Sequence, residues 1–191
     1  MYIDWDNTVT FNPTFGPNIT GNPPKGGIKI PDYGNYGGPL NYGGPTADDL
    51  DSLFKTHDET IGRLNLGEIE PHELPQLIPA HVVLIDSIAT LDANNGLEDP
   101  EAVLYAGLTT LAITAQVAAV DGGLETLAKE LAPEFDIPTV LTQPVENMEV
   151  GLAEVPGEGK SLNGALHWFE KHFVEDLVEL LTPPVSSDIW A

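Results

Sequence analysis

Cysteine is absent from the 191 residues of this chain, and that one absence excludes disulfides, thiolate metal sites and a cysteine nucleophile together. It suits the cytosol, and it equally suits a protein exported unfolded into calcium-rich surroundings. Basic residues are scarce as well: 7 Lys and Arg stand against 30 Asp and Glu, a formal net charge of −23. Such a surface repels phosphate backbones, which argues against nucleic-acid partners. It also matches an anionic bilayer poorly unless cations bridge the contact. The opening "MYIDWDNTVTF" has no basic region followed by an apolar run, so it does not read as a secretory signal. No stretch is expected to provide the roughly 20 apolar residues of a membrane-spanning helix.

What remains is sufficient for a core. Hydrophobic residues make up 41% of a length that fits one domain, or one core with an appendage. Glycine (19) and proline (17) are frequent enough to demand long loops. Residues 1–46 are rich in both and read as mostly irregular, with a short strand at "GGIKI", 26–30. At "PTADDLDSLFKTHDETIGRL" the pattern changes to a helix, with Leu50, Leu53, Phe54 and Ile61 at helical spacing. Thr46 with Asp49 three residues on has capping-box spacing, and the acidic first turn suits the helix dipole. "IPAHVVLIDSIATL" (78–91), 97–120 and 122–132 read as further helices, the second apolar nearly all round and therefore central. Residues 133–160 read as loop-like, weakly strand-like at best, and 161–181 as a last helix stopping before Pro183 and Pro184. "DANNGLED", 92–99, reads as a turn. The expected organisation is an irregular segment 1–31, a mainly α core 32–132, and a C-terminal extension 133–191.

One constellation carries chemistry. "YGNYGGPLNYGG", 33–44, is followed at a fixed distance by His57 and Asp58. A glycine-rich loop can turn several backbone carbonyls toward one point, and carbonyls plus a carboxylate suit a hard cation such as calcium. On a helix, residues 57 and 58 point about 100° apart, so an imidazole and a carboxylate can both face such a loop.

These residues resemble the secreted phospholipase A2 superfamily, whose calcium loop reads Tyr-Gly-x-Tyr-x-Gly and whose active-site helix reads Asp-x-Leu-Asp-x-x-x-x-x-His-Asp. Tyr33, Gly34, Tyr36 and Gly38 match the first motif; Asp48, Leu50, Asp51, His57 and Asp58 match the second. The match covers about 26 residues. Leu53 and Phe54 stand where most members have cysteines, Ile61 stands near the usual supporting tyrosine, and the loop is one residue longer than usual.

The resemblance implies a phospholipase A2-like fold and calcium-dependent hydrolysis of a phospholipid or related lipid ester. His57 would be the general base. Asp58 and the carbonyls of Tyr36 and Gly38 would hold Ca2+, with a third carbonyl from Leu40, Asn41 or Gly43. A buried Asp on the next long helix would orient the histidine; Asp86, in the apolar run "VLIDSIATL", is the first choice and Asp121 the second, because a buried carboxylate needs a partner. The implied partner is a phospholipid micelle or membrane surface, zwitterionic or calcium-bridged. Lys25, Lys29, Lys55 and Arg63 lie near the motif in sequence and would favour a phosphate headgroup. Acidity, missing cysteine and the tail "TPPVSSDIWA" point to a secreted or cell-surface location. The alternative is a catalytically silent calcium-binding or interaction module on the same scaffold.

Overall fold

The computed structural model describes residues 2–12, 23–38, 43–63, 74–120, 122–131, 137–155 and 162–181. The protein is mainly helical, with a small two-stranded sheet at its start. Strand β1 (Ile3–Phe11) pairs antiparallel with β2 (Ile28–Tyr33), Ile3 opposite Tyr33 and Phe11 opposite Ile28, with a register shift between Asp4 and Thr8. Here the structure corrects the expectation of an irregular segment before residue 26. Ile3, Trp5, Val9 and Phe11 alternate with polar residues at the period of a half-buried strand. Pro31 is tolerated in β2 because a two-stranded sheet has only edges. The hairpin is fastened to the helices: the N–H groups of Tyr2 and Ile3 donate to the Glu101 carboxylate, and the Tyr105 hydroxyl donates to the Pro31 carbonyl at 2.9 Å.

Helix α1 spans Asp49–Arg63. Its cap is Asp48, not Thr46: the Asp48 carboxylate accepts the Asp51 N–H at 2.8 Å, while the Thr46 hydroxyl pairs with Ser52 at 3.0 Å. The residue directly before the first helical position reaches the third free N–H, and Thr46 lies too far upstream to do so. Helices α2 (Leu74–Ala93), α3 (Pro100–Ala118) and α4 (Gly123–Leu131) follow. Asp99 caps α3, and Pro100 occupies its first position, where a missing N–H costs nothing. As expected, α3 is the central buried helix. By length and composition alone, Pro75–Ala93 and Pro100–Ala118 would each suffice to cross a membrane, which corrects the expectation that no stretch would. In the fold, 72% of the second stretch is buried against protein, which accounts for its composition.

Residues 137–154 depart from the expected loop. They form helix α5 (Ile137–Glu154), with Pro138 in its first turn and Pro144 inside it. Val140, Leu141, Val145 and Met148 are buried along one side, and that burial outweighs the broken backbone hydrogen bond at Pro144. The contact of α5 with α3 is the most extensive between helices. The last helix agrees with expectation: α6 (Asn163–Trp168) runs through a π-helical turn, Phe169–Val174, into α7 (Glu175–Leu181). Trp168, Phe169 and Phe173 are buried there against one another. The buried apolar residues form one cluster, reaching from Ile3 in the hairpin to Leu177 in α7.

Candidate functional site

The glycine-rich stretch begins as a shaped loop. Asp51, in the first turn of α1, is fully buried, and its carboxylate accepts backbone N–H groups from Asn35 (3.0 and 3.1 Å), Tyr36 (2.8 Å) and Ala47 (2.9 Å). Gly34 has φ +57°, and a Cβ there would lie 2.5 Å from the Asp51 carboxyl carbon, so the loop closes on Asp51 only with glycine at that position. Tyr33 is buried; its hydroxyl donates to Asp48 and its ring stacks on Tyr105 with centroids 4.9 Å apart. Burial and the Asp48 carboxylate push its phenol far above the usual range. Asp48 and Asp51 thus fix the loop to the start of α1. Among the described residues, the carbonyls of Tyr36 and Gly38 accept no hydrogen bond.

Two turns along α1 from Asp51, His57 and Asp58 face a cavity of about 460 Å³. The loop residues Tyr36, Gly37 and Gly38 form one wall and the hairpin residues Val9, Phe11 and Ile30 another. Leu77, His81 and Leu84 of α2, with Tyr105 and Ile113 of α3, close the rest. The lining is mostly apolar; its titratable side chains are His57, Asp58, His81 and Tyr105, and Thr10, Thr109 and Gln116 add neutral polar groups. Asp58 Oδ2 is buried there without a hydrogen-bond partner, and Asp58 Oδ1 lies 3.7 Å from His57 Nδ1. The other ring nitrogen, His57 Nε2, lies 2.9 Å from His81 Nδ1, with the two rings 5.1 Å apart and tilted by 24°. His81 is buried, and burial followed by the neighbouring His57 lowers its pKa from 6.5 to about 4, so it is neutral at pH 7.

The sequence-chosen residues thus divide. Tyr36, Gly38, His57 and Asp58 converge on one cavity. Asp86 does not line it: it lies five residues past His81 on α2, about 140° round the helix, half-buried, and no hydrogen bond joins it to His57. Asp121, Leu40 and Asn41 lie outside the described residues; Gly43 has φ +112° in an open position. His81 was missed, although Leu77, His81 and Leu84 stand at i, i+4 and i+7, the spacing of one helix face. Asp32 was missed too. It is 1% exposed, takes the Asn7 amide on one oxygen and leaves the other, which backs onto Gly38, without a partner. Burial and then Asp4 raise its pKa.

Of the four basic residues near the motif, two touch residues that line the cavity: Lys55 lies 5.3 Å above the Tyr36 ring, and Lys29 donates to the Thr10 hydroxyl. Among the described residues, no three His, Asp or Glu side chains gather as metal ligands. A cation here would therefore rest on backbone carbonyls and the single Asp58 carboxylate, a donor set of hard oxygens that suits calcium better than a transition metal. Asp58 fits that requirement: its carboxylate is partly exposed at the cavity, and one of its oxygens has no hydrogen-bond partner. No protein-family model, no curated protein and no solved structure matches the chain.

Proposed function

We propose that the protein is a calcium-dependent carboxylic ester hydrolase of the phospholipase A2 type, acting on a phospholipid or related lipid. The observation that carries this reading is the meeting of His57, the Asp58 carboxylate and the Tyr36–Gly38 backbone on one largely apolar cavity. The carbonyls of Tyr36 and Gly38 and the carboxylate of Asp58 would hold the ion. When bound, calcium supplies a Lewis acid for the ester carbonyl and for the negative charge that develops on its oxygen. His57 takes a proton from water at Nδ1, the nitrogen beside Asp58, as the water oxygen attacks the carbonyl carbon. It returns that proton to the departing alkoxide, leaving a fatty acid and an alcohol. Val9, Phe11, Ile30, Leu77 and Ile113 offer an acyl chain apolar walls, and Lys29 and Lys55 offer a phosphate two positive charges beside residues that line the cavity. Together with the absent cysteine, dependence on calcium would suit an exported protein.

A second reading is a catalytically silent calcium-binding module. One observation favours it: the far nitrogen of His57 meets an imidazole where the family has a carboxylate. Calcium calorimetry on the wild type and Asp58→Asn, followed by fatty-acid release from mixed micelles, separates the readings. Binding lost in the variant, with release that needs calcium and His57, supports the hydrolase. Binding without release supports the silent module, and an absence of binding removes both.

A further inference from the structure

We infer that His81 is the positioning residue for His57, a neutral imidazole that accepts the Nε2 proton of His57 and so keeps the Nδ1 lone pair on the side of Asp58. The inference rests on reading His57 as a base, and it deepens that reading by replacing the expected carboxylate with a histidine. Its ground is geometric. The 2.9 Å contact between His57 Nε2 and His81 Nδ1 is a hydrogen bond that bridges α1 and α2, and the near-parallel rings restrict both side chains. A hydrogen bond between two neutral imidazoles carries a single proton, so the pair has two arrangements. In one, His57 donates from Nε2 and its Nδ1 is free to act as a base. In the other, His81 donates from Nδ1, and the His57 proton sits at Nδ1, where it blocks the reaction.

Two features select the first arrangement once a cation occupies the loop. A cation on Asp58 repels a proton at the adjacent His57 Nδ1, 3.7 Å from the carboxylate oxygen. His81 is buried and stays neutral near pH 7, so its Nδ1 is available as an acceptor. An imidazole partner differs from a carboxylate in a testable way. A carboxylate only accepts and holds one tautomer unconditionally, whereas His81 can donate or accept and leaves the choice to the charge beside Nδ1.

Nitrogen-15 NMR of the imidazoles, recorded at neutral pH with 5 mM calcium chloride and again with a chelator, reads the tautomers directly. The expected result with calcium is a protonated Nε2 and a bare Nδ1 on His57, with a bare Nδ1 on His81. His81→Phe keeps a ring in the stack but cannot accept; it should lose the fixed tautomer and lower kcat for fatty-acid release about 10- to 100-fold at nearly unchanged KM. His81→Asn places an acceptor oxygen where Nδ1 was and should restore the His57 tautomer and most of kcat; it also serves as the test should His81→Phe fail to fold. A protonated Nδ1 on His57 in the presence of bound calcium, or an unchanged tautomer in His81→Phe, would overturn the inference. If the wild type releases no fatty acid yet His81→Phe still loses the tautomer, the positioning role stands and the hydrolase reading alone falls.

Discussion

Among the described residues, two cavities border the central helix α3 and treat their polar groups differently. The one at His57 holds about 460 Å³ and is bordered by Asp58, a partly exposed carboxylate whose buried oxygen nothing in the fold satisfies. The other, about 210 Å³ between α2, α3 and α5, is edged by a closed chain: Gln143 donates to Asn147 at 3.1 Å, and Asn147 donates to Asp92 at 2.8 Å. A neutral hydroxyl, Thr110, is what that second cavity leaves unpartnered. The first cavity therefore offers a cation a partly exposed carboxylate that no hydrogen bond occupies, whereas the carboxylate on the second, Asp92, already accepts from Asn147. Substitutions at the first should change chemistry and ion linkage; substitutions at the second should change stability alone.

The largest separation is expected in turnover. His57→Asn removes the base and should lower fatty-acid release by roughly 100- to 10,000-fold, whereas Asp92→Asn, on the second cavity, should leave release within about twofold. Equal losses in a micelle assay would dissolve the distinction between the cavities.

Next in size is the acid dependence of stability. His81 has a folded pKa of about 4 against 6.5 in the unfolded chain, so between those values the unfolded state binds a proton that the native state refuses. Stability is therefore fully present above pH 6.5 and falls as the pH drops toward 4, by about 3 kcal/mol in all. Asp32 acts in the opposite sense: with its pKa raised, the native state holds that proton more tightly than the unfolded one, so acidification relieves some of its cost. The difference between the wild type and His81→Phe isolates the histidine. Urea midpoints across this pH range should converge with decreasing pH, and parallel curves would mean that His81 is not buried neutral.

Ion linkage follows. At calcium a hundredfold above its Kd, the wild type should gain about 2.7 kcal/mol, or about 5–10 °C in melting temperature for a chain of this size. Asp58→Asn should gain nothing from calcium. Asp92→Asn should respond to calcium as the wild type does.

How far the sequence revealed these features depended on whether local pattern and tertiary packing agreed. The loop and α1 were legible because Asp48, Asp51, His57 and Asp58 stand at fixed spacings, and the clamp formed by Asp51 gives that spacing a physical reason: its carboxylate must reach the N–H groups of Asn35 and Tyr36. Helix α3 was legible because a helix apolar all round must be central. Strand β1 was obscured by the prolines and glycines that follow it, although its own residues alternate. Asp86 stands in an apolar run, where a carboxylate needs a partner; α2 turns it half toward solvent instead. His81 carried the signal that mattered, its place on the face of Leu77 and Leu84, but an isolated histidine in an apolar run reads as core until a facing helix is known.

Helix α5 was the largest misreading, and it yields the smallest of the expected effects. Pro138 and Pro144 look like breaks, yet α3 and α5 approach so closely that side chains are excluded at two points. A Cβ on Gly151 would lie 2.5 Å from the Cβ of Leu104 and 2.7 Å from its Cα, and one on Gly107 would overlap the Pro144 carbonyl oxygen. The atoms in the way at Gly151 belong to the backbone and first carbon of α3, so no rotamer change can make room. Gly151→Ala gains something from the higher helix propensity of alanine, about 1 kcal/mol, but must push the helices apart, which costs about 1–3 kcal/mol. The net effect should be a loss of about 1 kcal/mol, or about 2–4 °C in melting temperature, with calcium binding unchanged because the loop and α1 are held by Asp51 and not by α5. A gain in stability would show that α3 and α5 are packed less tightly than their glycines require.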